Sequence, residues 1–576
     1  MKPRNASRTY GHYILAGAFY LLIALLITFP LILHFRDSIV GGYGDGLYFS
    51  WLVRWYQKVI FEGGSSPFFN PMMNFPEGWN LSTTDTALAS TLPGVPFSLV
   101  WGPVAGYNIA MWITFFLSGL AMYIWVHHLT KSRGAALLAG TIYAFLPYRI
   151  AHFQAGHLNL AGTAWFPLYF MGLYEILRTQ KHWHWVASIT VALSLGLIAL
   201  SSMYYLYFTL LMSVVFVLSY WVFANHKIIF EKWFWLRTAI TGIFSLPLLY
   251  LALKPFLSLS NQGGLADRSL EYASRYSTSP TDFFAFASSH FLFGKWSSRI
   301  LDHSLWMESS LYIGLVSLVL IVIAIRHRKQ IADQNLLMIA RVMMVTAFIL
   351  ALGPQLHWNN KLIEFISPIS GQKTPIPLPA ALLFKYLPFF SKMRAVMRIG
   401  FFTLIFSTLA AGLGANWLLV HIKKTQRNWV TGLLVILVLF EFFPGTMRPS
   451  LKKIEARPVD YWLAAQPASG AVVQMPFEDS TDQAQIYYTL THHKAITGGF
   501  FNANQPPQYQ YLQTVLATFP DERSISTLRE YQVAYIVIDP RRYDQFASVE
   551  AEMFANGLIP LTEKDGIRVY GFKPTP

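Results

Sequence analysis

Apolar runs near twenty residues long recur along the chain, separated mostly by short polar segments. A helix needs about 20 mostly apolar residues to cross a bilayer's hydrocarbon core. Eleven segments fit that requirement: 13–35, 106–127, 134–150, 158–177, 185–201, 203–224, 236–255, 310–326, 335–353, 397–420 and 428–445. The run 13–35 is too long for a signal-peptide core and has no small-residue cleavage pattern behind it, so it reads as an uncleaved first span. Two further apolar stretches, 88–101 and 375–390, are short and interrupted by Pro, and are expected to dip into the interface without crossing. Leu47, Trp51, Trp55 and Val59 recur at helical spacing, with Arg54, Gln57 and Lys58 elsewhere on the wheel, which predicts an interfacial amphipathic helix over 47–61. Past Phe443 the apolar runs give way to ordinary polarity. Short runs at 471–475, 534–539, near Leu558 and at 567–572 predict strands, and 460–465 and 520–531 predict helices. The expected architecture is therefore a mainly α polytopic membrane module over 1–445, followed by a small soluble α/β domain over 446–576.

Charge sets the orientation. Cytoplasmic loops concentrate Lys and Arg. Starting from Lys2, Arg4 and Arg8, every second loop is basic: Lys131 and Arg133; Arg178 and Lys181; Lys227, Lys232 and Arg237; Arg326, Arg328 and Lys329; Lys423, Lys424 and Arg427. The alternation predicts a cytoplasmic N-terminus, an extracytoplasmic C-terminal domain and a place in the plasma (inner) membrane. It puts the long loops 36–105, 256–309 and 354–396 on the outer side. Composition agrees, with 54% hydrophobic and only 13% charged residues, against about a quarter charged in soluble domains. The net charge of +15 is spread over loops between apolar runs, which points to anionic membrane lipids rather than nucleic acid. The chain has no Cys, so disulfides and thiolate metal sites are excluded.

Candidate chemistry collects in the expected outer segments. Asp45 stands in Gly41-Gly42-Tyr43-Gly44-Asp45-Gly46, where flanking glycines permit tight turning and a bulky ligand's approach. It is a candidate general base or ligand to a hard divalent cation; a turn Asp bonded to its own backbone is the alternative. Between the third and fourth runs, Arg149, His152, His157 and Asn159 lie close in sequence, a set suited to phosphate binding or proton transfer, or simply to capping helix ends. Glu308 offers a second carboxylate for catalysis or a metal, or a charge matched to a helix dipole. Lys392, Arg394 and Arg398 run against the charge bias and suit a lipid phosphate or anionic headgroups.

On these residues the chain resembles the GT-C fold membrane glycosyltransferases. The resemblance rests on Gly44-Asp45-Gly46 after the first span, the interfacial helix that follows, residues 147–165, the hinge Ser201-Ser202-Met203-Tyr204-Tyr205, residues 308–314 and 394–412, and an outer C-terminal domain. It implies an inverting transfer of sugar from a polyprenyl-phosphate carrier to a glycan, lipid or protein acceptor of the cell envelope. Asp45 matches the family's first-loop acid, a catalytic base or metal-associated group, with Glu308 and His157 as further catalytic candidates and Mg2+ or Mn2+ as the implied ion. The first loop lacks an Asp-x-Asp pair, its next acid being Asp85, which leaves a metal requirement open. The competing expectations are a transporter or flippase of lipid-linked sugars, which calls for ionisable groups in mid-span and two related halves, and a non-catalytic scaffold.

Overall fold

The computed structural model describes residues 6–63, 66–83, 86–179, 183–260, 267–368, 371–499 and 505–573. Asp85, Lys2, Arg4 and Lys181 fall outside them. Two compact units result: Met1–Leu33, Ala87–Ser90 and Ala110–Ser450 form the first, and His34–Thr86, Thr91–Ile109 and Leu451–Pro576 the second.

The first unit is helical, as the apolar runs predict, and the chain is a polytopic membrane protein. Among the described residues, seven helices are long and apolar enough to cross a membrane: Tyr10–Ile27, Pro103–Thr130, Arg133–Gln154, Met203–Phe223, Lys232–Leu257, Gln334–Ala351 and Val396–His421. The other expected spans are helical but shorter, at Trp165–Arg178, Trp185–Ser201, Leu315–Arg326 and Arg427–Phe442. Three of the expected runs are cut short by a local cause. The first run stops at Ile27, just ahead of Pro30. The fourth is broken after Ala161, where Gly162 leaves helical geometry, and the eighth begins only beyond Gly314, whose φ of 94° is accessible chiefly to glycine.

Helix Gly400–His421 is the unit's axis. Every residue from Gly400 to Ala415 is buried, and the helix packs against Arg133–Phe145, Leu315–Arg326 and Gln334–Ala351. Small residues make this possible, because without a Cβ two backbones can touch. A Cβ on Gly414 would lie 2.0 Å from the Leu320 carbonyl oxygen, and one on Gly412 would lie 3.0 Å from the Ala139 Cβ.

The second unit is built on a four-stranded sheet in the order Leu558–Lys564, Ile567–Phe572, Val533–Ile538, Ala471–Met475. The first three strands pair antiparallel and the last is parallel to its neighbour. All four strands lie where the short apolar runs predict them. Helices cover a core that includes Val473, Tyr509, Leu512, Leu528, Ile536 and Met553. Part of the first long loop folds into the same unit. Strand Ser38–Val40 pairs antiparallel with Leu451–Lys453, Ser38 opposite Lys453. The Asn74 N–H donates to the Gly498 carbonyl at 2.8 Å. Helix Asp45–Phe61 packs on Asp482–His492, and its stripe of Leu47, Trp51 and Trp55 is buried together with Tyr48, Phe49, Leu52 and Val53.

Candidate functional site

The charged groups of the first unit converge because three chain breaks bring short polar segments together. Leu146 is extended ahead of Pro147 (ψ 137°), which ends one helix and starts another, Pro147–Gln154. That short helix carries Arg149 and His152 into the interior. Gly156, at φ 80°, then turns the chain so that His157 opens the next helical turn. The Nδ1 atoms of His152 and His157 lie 2.8 Å apart, so one donates and the other accepts. Glu308, in the turn Trp306–Ser309, accepts the Arg398 Nε–H on both carboxylate oxygens, at 3.0 and 3.1 Å. His152 Nε2 is 3.9 Å from Glu308 Oε2. Arg398 immediately precedes the axial helix, with its Cζ 4.8 Å from the ring centroid of Tyr204.

Tyrosines close the cluster. The Tyr148 ring meets His152 edge-on at 4.3 Å, its hydroxyl lies 3.2 Å from that of Tyr205, and Tyr205 donates to the Leu160 carbonyl at 3.1 Å. His152 is completely buried and Glu308 nearly so. Burial pushes the Glu308 carboxyl up, but the Arg398 guanidinium and the two imidazoles outweigh it and hold the group at about 2. Glu308 is thus an anion at neutral pH, suited to fixing Arg398 and His152 rather than taking up a proton. The cluster gathers three basic side chains around one carboxylate, an arrangement able to accept a further anion at a low-dielectric site.

The remaining candidates are placed as follows. Arg149 donates from Nη1 to the Ala144 carbonyl at 2.7 Å and from Nη2 to the Ala161 carbonyl and Thr114 hydroxyl, both at 3.2 Å, over the Phe115 ring. These bonds brace the chain break that presents the two histidines. Asn159 lies in the turn Leu158–Ala161 beside them. Arg394 donates to the Tyr276 hydroxyl at 3.3 Å, and Lys392 lies 3.4 Å from Asp267. Asp45 belongs to the second unit, where it is the first residue of helix Asp45–Phe61. Gly46 admits Ile39 so closely that a Cβ would fall 2.8 Å from it, whereas space over Gly44 is open. Among the described residues no three His, Asp or Glu side chains form a metal-holding group.

Sequence reasoning did not find Tyr148, Tyr204 and Tyr205, although the last two lie in the hinge Ser201–Tyr205. It also missed Glu441, a lone acid at the end of an apolar run. Its carboxylate accepts from the Tyr312 hydroxyl at 2.6 Å and from the Leu315 and Val316 amides, capping helix Leu315–Arg326.

Residues 62–373, more than half of the chain, match the family described as domain of unknown function DUF6311. The chain belongs to the DUF6311 family. That DUF6311 match takes in His152, His157 and Glu308 but neither Asp45 nor Arg398. No curated protein matches the sequence. Among solved structures, ArnT from Cupriavidus metallidurans bound to undecaprenyl phosphate aligns at a TM-score of 0.50 and 10% identity, over 97% of the DUF6311 chain and 98% of ArnT. Arabinofuranosyltransferase AftD from Mycobacteria aligns at 0.53 and 12% identity, over 98% of this chain but only 41% of AftD. The archaeal oligosaccharyltransferase AglB from Archaeoglobus fulgidus, in complex with an inhibitory peptide and a dolichol-phosphate, gives 0.49 and 12%, over 99% and 75%. The DUF6311 chain has the fold of the GT-C glycosyltransferases.

Proposed function

We propose that this protein is an inverting membrane glycosyltransferase that moves a sugar from a polyprenyl-phosphate carrier to a cell-envelope acceptor on the extracytoplasmic side. The observation that carries this reading is the buried cluster of Arg398, His152 and His157 around Glu308, ionisable and polar groups gathered at membrane depth, where such residues are rare and mark functional sites. The GT-C fold adds an analogy, since ArnT was solved with undecaprenyl phosphate bound.

The proposed chemistry needs two roles. The GT-C resemblance makes Asp45 the proposed base for the proton of an acceptor hydroxyl; the freed oxygen forms a bond to the anomeric carbon while that carbon's bond to the phosphate oxygen breaks, with inversion. The electron pair leaves on the phosphate, whose charge Arg398 and the histidine pair stabilise. Glu308 is a positioning residue that orients Arg398. The side chains do not fit a Glu308-held Mg2+ or Mn2+, because both of its oxygens already accept the Arg398 Nε–H. No step is therefore routed through a metal.

Purified protein reconstituted with polyprenyl-phosphate sugars tests the reading. Sugar release by the native chain should fall at least about a hundredfold in Asp45→Asn, the scale of acid–base catalysis. Near-native turnover in the variant removes Asp45 from the mechanism. Vectorial movement of the lipid without sugar release, unchanged by the substitution, replaces the transferase with a transporter.

A further inference from the structure

Residues 354–368 and 371–378 form two small antiparallel strand pairs held as one plate. His357–Trp358 pairs with Lys361–Leu362, and Glu364–Ile366 pairs with Lys373–Pro375. The Leu356 N–H donates to the Ile376 carbonyl at 3.0 Å, and the Ile376 N–H to the Ile363 carbonyl at 3.1 Å, joining the two. The first turn uses Asn359 and Asn360, both left-handed (φ 51° and 57°) as a tight hairpin turn requires. It is tied down by the Asn360 N–H donating to Ser279 Oγ at 2.9 Å and the Asp302 N–H to Asn359 Oδ1 at 2.6 Å. The plate is therefore fixed in place.

What this fixed plate presents is unusual for a surface facing water. All three residues of Glu364–Ile366 are exposed, so that strand is uncovered on both faces. Ile366 is 70% exposed, Trp358 57% and Phe365 42%. The segment after it continues the theme, with Tyr386 at 69% and Phe389 at 64%, although Phe390 is buried. Phe389 adopts a left-handed backbone, φ 66°, that aromatic residues rarely take. The turn is held there by the Tyr207 hydroxyl donating to the Pro388 carbonyl at 2.7 Å, so the backbone is constrained to point this ring outward. A two-stranded pair with uncovered apolar side chains is marginal in water, and this many large apolar side chains left exposed on a fixed backbone call for a partner.

The chemistry of the patch selects the partner. Lys361, Lys373 and Lys385 are exposed; Lys361 is paired in register with Trp358 and Lys373 with Ile366, and Lys385 Nζ is 5.2 Å from the Tyr386 ring centroid. Aromatic rings mixed with lysines match the headgroup level of a membrane: the rings seat at the polar–apolar boundary, and the ammonium groups meet anionic phosphate above it. We propose that the strand pairs His357–Trp358 with Lys361–Leu362 and Glu364–Ile366 with Lys373–Pro375, together with the helix Ala380–Tyr386 and its Phe389 tip, form an interfacial foot that seats in the headgroup layer of an anionic bilayer. This inference does not depend on the transferase reading.

The chain's lack of cysteine makes the test direct. Ile366→Cys and Tyr386→Cys each create one spin-label site in the full-length protein, and Ser480→Cys supplies an exposed control in the second unit. In phosphatidylcholine vesicles with phosphatidylglycerol, the first two labels should collide more with oxygen and less with an aqueous nickel chelate than the Ser480 label does. An aqueous profile at both positions overturns the proposal, as does a label shielded from both relaxants, which would indicate a protein partner. Combining Lys361→Gln, Lys373→Gln and Lys385→Gln should shift the first two labels toward the aqueous profile only in vesicles containing phosphatidylglycerol. No such shift overturns the anionic part of the proposal.

Discussion

Helices Gly400–His421 and Lys232–Ser260 read almost alike as apolar runs, yet they occupy opposite environments. The first is buried along sixteen consecutive residues from Gly400 to Ala415. The second packs mainly on Trp185–Ser201 and exposes Trp235, Ile243, Leu246, Tyr250 and Leu257. The polar residues explain the difference. On the peripheral helix, Arg237, Thr241 and Ser245 recur every fourth position and are buried, with Thr241 donating to Ser188 at 3.0 Å. On the axial helix, Thr403, Ser407, Thr408, Gly412 and Gly414 fall within about half of the circumference, and the other half, with Phe402, Phe406, Leu409 and Leu413, is buried as well, so all faces meet protein. Lipid is as apolar as leucine, so small and polar positions, more than large apolar ones, show which side of a helix faces protein.

The most damaging way to break this contrast is at the entrance to the axial helix. Arg398→Ala leaves the buried Glu308 carboxylate without its guanidinium, and a loss of about 3–5 kcal/mol is expected, seen as a large drop in melting temperature of the detergent-solubilised protein. Adding Glu308→Gln should recover part of it. Next, Gly414→Leu drives a Cβ into the Leu320 carbonyl. Overpacking against backbone that cannot yield should cost about 3 kcal/mol, measurable by thermal unfolding.

A smaller, conditional effect comes from acid. Glu308 is held at about 2, below an ordinary glutamate near 4.3, so its contribution is complete above the ordinary value and is lost as pH falls through the lowered one. The native melting temperature should decline over that acid window, and Glu308→Gln should flatten the decline. The smallest effect is expected at Gly242, on the peripheral helix, where nothing lies within 4 Å of an added Cβ. Gly242→Leu should change stability by no more than about 0.5 kcal/mol; a larger loss would mean that this face is not lipid-facing.

Much of the fold was readable because its signals are local. Span-length apolar runs mark every long helix, and short apolar runs mark the four strands from Ala471 to Phe572. Helix ends were less legible, since Gly162 and Gly314 act through backbone geometry that hydropathy ignores. In the candidate site, His152, His157, Glu308 and Arg398 were identifiable by residue type, and the structure brings these four together. Their pairing was not identifiable, because Glu308 and Arg398 lie far apart in sequence and meet only through helix packing. Tyr148 and Tyr205, within segments that carry the resemblance, were not singled out as site residues for a related reason: in a chain with 30 tyrosines, only burial beside a charge distinguishes two of them. The wheel pattern of Leu47, Trp51 and Trp55 predicted a helix correctly, while the cover over it, helix Asp482–His492, comes from the other end of the chain.

The pairing of Ser38–Val40 with Leu451–Lys453 also bears on how the protein is made. A ribosome adding about 5–20 residues per second delivers the second strand tens of seconds after the first, once all the intervening helices have been synthesised. Throughout that interval the earlier strand has an unpaired edge beside the Asp45 loop, so the second unit is completed only late in biogenesis. Shielding this edge until its partner emerges is a task that falls to the cell's insertion and quality-control machinery.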